Sequence, residues 1–213
     1  GGGGGGGHHQ RRPWHHRQRP GGEGQGQPNR PRHEAPQRTE AEKVFLEKTP
    51  LTPKEWIRLE KGSSEPSMRA IDLLSPIGKG QRGLIVSPPK AGKTTILKQL
   101  CQAVAKAEPA VKVYCLLVDE RPEEVTDVTR SVTAEVFASS SDKAYGEHIR
   151  LAETVYQRAV GEAGAGHDVM IVVDSLTRLS RVHNTATPGN RTMTGGLDTR
   201  AMEVPRRFFG AAR

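Results

Sequence analysis

Apolar residues fall into two rhythms along this chain, and neither rhythm begins before residue 44. Short apolar runs predict strands over 83–87, 111–118, 134–138 and 168–174. Two of them, at 111–118 and 169–174, are nearly unbroken, which suits parallel strands covered on both faces. Between them, apolar positions recur every three to four residues and predict helices over 93–106, 122–131, 146–163 and 198–208. Strands alternating with helices imply βαβ crossovers and an α/β doubly wound, mainly parallel sheet. Val44-Phe45-Leu46 and Trp56-Ile57-Arg58-Leu59 read as packing segments leading into this core. The stretch 183–197 is polar, with Pro188-Gly189 and Gly195-Gly196, and reads as an exposed, mobile loop.

Residues 1–43 follow neither rhythm. They hold a glycine run, paired histidines, arginines, prolines and Trp14. Such a segment buries too little apolar surface to offset its ordering entropy, so a disordered arm over 1–43 and one domain over 44–213 are expected. The net charge is +8, and the arm's eight cationic against four anionic side chains supply half of it. The arm reads either as a nucleic-acid-attracting segment, with Trp14 able to stack on a base, or as a plain solvated linker. Its histidines lack the cysteine or carboxylate partners of a metal site. No apolar run reaches the roughly 18 residues that span a bilayer, and no secretory pattern opens the chain. Cys101 and Cys115 fall in a predicted helix and a predicted strand and read as buried, reduced thiols. A cytoplasmic protein without a membrane partner is expected.

The chemistry concentrates at strand ends. Gly83-Leu-Ile-Val-Ser-Pro-Pro-Lys-Ala-Gly-Lys-Thr-Thr95 has the strand–loop–helix context of a phosphate loop. Backbone N–H groups of such a loop form an anion nest, reinforced by the following helix's N-terminus. Gly92 admits phosphate without a Cβ in the way, Lys93 is placed to reach the β- and γ-phosphates, and Thr94 to hold Mg2+. Ser87 stands where the general motif has glycine, and Pro88-Pro89 stiffens the bend. A second apolar run, Val169–Val173, ends in Asp174, which reads as a magnesium ligand, as a helix N-cap, or as both. A third ends in Asp119-Glu120-Arg121. Glu120 is the candidate to activate water and Arg121 to touch the γ-phosphate, the bland alternative being a local Glu120–Arg121 ion pair. Glu123 and Glu124 follow Pro122 and suit a helix N-terminus.

Pro76-Ile-Gly-Lys-Gly-Gln-Arg-Gly83, Ser87-Pro-Pro-Lys-Ala-Gly-Lys-Thr94, Asp119-Glu-Arg-Pro-Glu-Glu-Val125, Asp174-Ser-Leu-Thr-Arg-Leu179 and Arg206-Arg-Phe-Phe-Gly-Ala-Ala-Arg213 together closely resemble the Rho family of bacterial transcription termination factors, from about Phe45 to Arg213. That family also carries a residue other than glycine at the position of Ser87. The resemblance implies a RecA-like P-loop ATPase working as a homohexamer. It would use ATP and Mg2+ to move along single-stranded nascent RNA, unwind RNA–DNA duplex and release transcripts from the RNA polymerase elongation complex. It assigns nucleotide contacts to Gly78, Lys79, Gly80, Gln81, Arg82, Gly83, Lys90, Ala91, Gly92, Lys93, Thr94, Thr95 and Arg121. Catalysis falls to Glu120, Lys93 and Arg121, and metal binding to Thr94 and Asp174. The stretch His183–Gly196 resembles the RNA loop of the ring's central channel, with Arg191, Thr192, Met193, Thr194, Gly195 and Gly196 as its tip. It further implies a C-terminally truncated ATPase domain. The second channel loop, the arginine finger and part of the adenine pocket would lie past Arg213, and the chain alone would bind nucleotide weakly and not turn over. Two other readings are a related RecA-like ATPase (a rotary ATP synthase subunit or a DNA strand-exchange protein) and a non-catalytic RNA-binding segment.

Overall fold

The computed structural model describes residues 1–3, 38–50, 52–88, 90–186 and 202–212. The arm expectation for residues up to 37 lies almost wholly outside them. Arg38–Arg213 forms one compact unit, separate from Gly1–Gln37. Its first element is α1 (Glu40–Glu47), so the boundary expected between residues 43 and 44 falls inside a helix. Thr39 caps α1, its hydroxyl accepting the Glu42 N–H at 3.2 Å.

A two-stranded antiparallel pair, β1 (Trp56–Ile57) with β2 (Ile77–Gly78), flanks a 3-10 turn (Leu59–Lys61) and α2 (Pro66–Leu74). Across β1 and the turn, side chains alternate: Ile57 and Leu59 are buried, whereas Trp56 points outward and is 59% exposed. The segment read as packing thus packs through Ile57 and Leu59 alone, as the two-residue period of extended chain requires. Gly62 meets α3 (Lys93–Ala107) so closely that a Cβ would lie 1.9 Å from the Ala103 carbonyl oxygen.

The central sheet is parallel, in the order β4 (Glu135–Ser140), β3 (Lys112–Glu120), β5 (Val169–Asp174). β3 shows the two-residue period cleanly. Val113, Cys115 and Leu117 pack with Leu97, Leu100, Cys101 and Val104 of α3 and Val128 of α4 (Pro122–Ser131). Tyr114, Leu116 and Val118 pack with Ala152 and Val155 of α5 (Tyr145–Gly164) and Leu179 and Val182 of α6 (Leu176–Ala186). Each fully buried Val or Leu contributes about 1.5–3 kcal/mol, so covering both faces of one strand anchors the unit.

Two expectations are corrected. Residues 83–87 form no strand: Leu84 and Val86 are 65% and 83% exposed. The apolar run is present, but no ladder partner exists for it among the described residues, and an extended segment is a strand only when its N–H and C=O groups are paired. The loop expected over 183–197 is corrected at its first four residues, because α6 runs through Ala186. Leu176, Leu179, Val182 and His183 share its inward stripe, and His183 is buried. Residues 187–197 lie outside the described residues. The last helix, α7 (Glu203–Gly210), falls where one was expected over 198–208, and 198–201 are likewise outside the described residues.

Candidate active site at the carboxyl ends of the strands

Parallel strands place their carboxyl ends, and the helix N-termini that follow, in one crevice. Here β3 ends in Glu120, β5 ends in Asp174, and α3 begins at Lys93. The N-cap of α3 is Gly92, at φ +85°, where an L side chain is strained. It supplies no side-chain cap, so the first N–H groups of a 15-residue helix face the crevice without a side-chain acceptor. The preceding turn is closed by Ala91 N–H donating to the Pro88 carbonyl at 3.4 Å, with Lys90 also at positive φ. Lys90, Ala91 and Thr95 are exposed at its mouth.

The Lys93 ammonium donates to Asp174 Oδ1, and the Thr94 hydroxyl lies 3.4 Å from Asp174 Oδ2. Asp174 is 2% exposed. The helix after it is capped by the next residue instead: Ser175 Oγ accepts the Arg178 N–H at 3.3 Å, and its carbonyl accepts the Leu179 N–H at 3.0 Å. Both Asp174 oxygens therefore face Lys93 and Thr94, and the cap reading of Asp174 is excluded.

Glu120 is set by an irregularity. Val118 pairs with Ser139 and Glu120 with Ser140, leaving Asp119 as an extra residue at φ +57°. This is a β-bulge, a device that re-aims the side chain that follows it. Glu120 ends 4% exposed. Arg178, one turn into α6, holds it: its Nη1 donates to the Asp119 carbonyl and its Nη2 lies 3.2 Å from Glu120 Oε2. That contact is an ion pair without hydrogen-bond alignment, and Oε2 has no hydrogen-bond partner. Burial, the neighbouring Glu124 carboxyl and the Asp174 charge push the Glu120 carboxyl up to about 7, with Arg178 pulling the other way. The pair Glu120–Arg121 does not form. Arg121 is the exposed N-cap of α4, and Glu120 pairs with Arg178. Glu123 and Glu124 occupy the first turn of α4, as expected.

Lys93, Thr94, Asp174 and Glu120 thus meet. The turn at Gly78–Arg82 does not join them. Lys79 is held by Asp168 at 2.7 Å and Glu55 at 3.2 Å, and Asp168 precedes the opposite end of β5, roughly 20 Å from Asp174 at 3.3 Å per residue. Gly78 N–H donates to Gln81 Oε1 at 2.8 Å, Gly80 turns at φ +81°, and the Arg82 guanidinium lies 5.8 Å from the Phe209 ring centre. Gly83 precedes the unpaired run. Arg191, Thr192, Met193, Thr194, Gly195 and Gly196 lie outside the described residues. Sequence reasoning gave Arg178 no role. Its signal was position: with a helix starting directly after Asp174, the residue four on turns back toward the strand ends.

The residues fit a nucleoside triphosphate with Mg2+. An unhindered helix N-terminus beside a lysine suits phosphate, a hydroxyl and a buried carboxylate suit a hard cation, and Glu120 Oε2 is a buried acceptor awaiting a donor. Among the described residues no group of three or more His, Cys, Asp or Glu forms a further metal site, and no helix is long and apolar enough to cross a membrane.

Comparison with known proteins agrees with this chemistry. The ATP synthase alpha/beta family, nucleotide-binding domain, matches residues 67–190. Transcription termination factor Rho of Streptomyces coelicolor is 53% identical over 170 residues, covering 79% of this chain and 41% of that protein. The Rho of Karelsulcia muelleri is 47% identical over 172 residues, covering 80% and 45%. The chain thus spans less than half the length of these relatives. Among solved structures, an ATPase from the type III secretion system of pathogenic bacteria superposes with a TM-score of 0.63 at 23% identity, covering 78% of this chain and 48% of that one. An ATP synthase subunit from Nanoarcheaum equitans does so at 0.60 and 17% identity, covering 78% and 42%. The fold is that of RecA-like ATPases; the chain belongs to the ATP synthase alpha/beta family of nucleotide-binding domains, and the curated relatives it resembles at about half identity are Rho transcription termination factors.

Proposed function

We propose that this chain is the nucleotide-binding part of an ATP-driven RNA translocase and helicase. It would act as a homohexamer in the cytoplasm on single-stranded nascent RNA, and release that RNA from the RNA polymerase elongation complex. The observation that carries the reading is the meeting of Lys93, Thr94 and Asp174 beside a buried Glu120, in a chain whose relatives are named Rho.

Thr94 and Asp174 would hold Mg2+, which when bound supplies positive charge at the phosphates. The N-terminus of α3 and Lys93 bind the phosphate oxygens, the ammonium exchanging Asp174 for phosphate. Glu120 orients a water molecule and accepts its proton, and near pH 7 and above it is charged enough to do so. Arg178 fixes the direction of that carboxylate, and Arg121 reports the γ-phosphate. Arg191–Gly196 grips RNA beyond α6.

The family match and both structural neighbours favour a second reading, a RecA-like ATPase indifferent to RNA. Calorimetric titration with ATP and Mg2+ is expected to give saturable heat that Lys93→Ala removes. Pyrimidine-rich RNA is expected to stimulate hydrolysis by the hexamer of which this chain is the nucleotide-binding part, and not by its Glu120→Gln form. Heat without RNA stimulation supports the second reading; absence of heat overturns both.

A further inference from the structure

Away from the crevice, the unit presents an aromatic side chain that its own core does not use. Trp56 is 59% exposed on β1. The backbone beneath it is fixed. The Asp72 carboxylate accepts the N–H groups of Leu59 at 3.2 Å and Glu60 at 2.9 Å, and β2 pairs with β1. The Arg58 guanidinium lies 5.8 Å from the Trp56 ring centre. Two surface depressions meet at the indole. One is lined by Leu73, Pro76 and Glu60, the other by Lys54, Arg58, Lys61 and Glu108.

The cations differ in how they are engaged. Lys79, the other lysine of this hairpin, is taken up by Glu55 and Asp168. Lys54 and Lys61 are exposed and make no ion pair among the described residues. Glu60, 3.8 Å from Arg58, and Glu108 are the opposing charges on the shelf. An exposed indole on a paired strand, flanked by an arginine and two unengaged lysines, matches one ligand chemistry in all its parts. A base stacks on the aromatic face while backbone phosphates meet the ammonium groups. An apolar peptide would use Trp56 and Leu73 but leave both lysines idle, and an acidic one would meet the lysines without stacking on the indole.

We propose that Lys54, Trp56, Arg58 and Lys61 form a binding shelf for single-stranded RNA. The proposal rests on the RNA reading above and adds a contact remote from the crevice. Glu108 caps the C-terminus of α3 and Lys93 begins it, so shelf and phosphate site stand about 22 Å apart at 1.5 Å per residue.

Trp14 and Trp56 are the chain's two tryptophans, so Trp14→Phe leaves Trp56 as the sole indole reporter. In that background, without nucleotide, an oligouridine is expected to quench Trp56 emission saturably. Trp56→Ala is expected to weaken binding of fluorescently labelled oligouridine about ten-fold or more. Lys54→Gln with Lys61→Gln is expected to reduce the slope of log K against log salt by about 1.4, two phosphate contacts at about 0.7 each. Circular dichroism of each variant checks the fold. Unchanged emission at saturating RNA, or an unchanged salt slope in a folded double variant, overturns the shelf. So does quenching that follows protein concentration rather than RNA, which would mark a contact between copies. RNA-stimulated hydrolysis with silent Trp56 sinks the shelf and leaves the proposed function standing; quenching without RNA-stimulated hydrolysis does the reverse.

Discussion

Glu120 is a carboxyl group held near 7 by burial, with Arg178 opposing the shift. The folded value lies above the ordinary one, so the group is protonated below about pH 7 and carries charge above it. Hydrolysis by the proposed hexamer is therefore expected to rise with pH through about 7, and its rate–pH profile checks this. Arg178→Gln removes the cation that favours the charged form. The acid limb should then move to higher pH, while KM for ATP changes less than kcat; an unmoved limb would show that Arg178 only supports the fold. At this scale Lys93, Thr94 and Asp174 were legible in the sequence, because each sits at the end of an element whose period announces it. Arg178 and the Glu124 contribution were not. They depend on where α4 and α6 start, to within one turn, and on the extra residue at Asp119, none of which leaves a mark in hydrophobic spacing.

At the scale of elements, one buried polar cluster binds three helices that share no sequence neighbourhood. Glu42 of α1, fully buried, accepts from Arg207 of α7 at 2.7 Å and from the Tyr156 hydroxyl of α5 at 3.0 Å. Arg207 also donates to Glu153 of α5 at 2.9 Å. Burial pushes the Glu42 carboxyl up, but the Arg207, Tyr156 and Gln157 contacts outweigh it and hold the group below its usual value. A lowered folded pKa means stability that is present above the ordinary carboxylate range and lost as pH falls through it. Arg207→Ala leaves that buried charge with only the exposed Arg38, 3.9 Å away, as a cation and should cost about 3–5 kcal/mol, read by urea denaturation at neutral pH. The loss should shrink in acid as Glu42 takes a proton. The periodic segments at 93–107, 112–120 and 145–164 were legible because each follows a single rhythm over many residues. α1 was hidden, since its one core aromatic, Phe45, is preceded by a run of charge. The run at 83–87 misled for the opposite reason: apolar content declares a segment fit for a sheet, not that a partner is present.

For the whole molecule, ligand binding and stability are one equilibrium. A site holding ATP and Mg2+ at 100 times Kd adds about 2.7 kcal/mol, which for a chain of this size raises Tm by roughly 5–11 °C. Thermal melts with and without nucleotide should show that rise, and Lys93→Ala should abolish it. Failure of the unaltered protein to respond would remove the phosphate loop from the account. Charge offers a separate check. With a net +8, affinity for any polyanion should fall steeply with salt, and nucleotide-driven stabilisation should fall less, because the Lys93–Asp174 locus is largely withdrawn from solvent.

The spare residue at Asp119 makes catalysis a matter of counting. Remove it, and Tyr114 to Val118 keep their partners on β4 and Lys112 to Leu117 theirs on β5. The terminal acid would still stand opposite Ser140, but it would lose the left-handed step at residue 119 and the carbonyl that Arg178 grips. Such a protein would fold, melt and bind nucleotide much as before, with its water-activating group drawn back by one residue from the bond it must break.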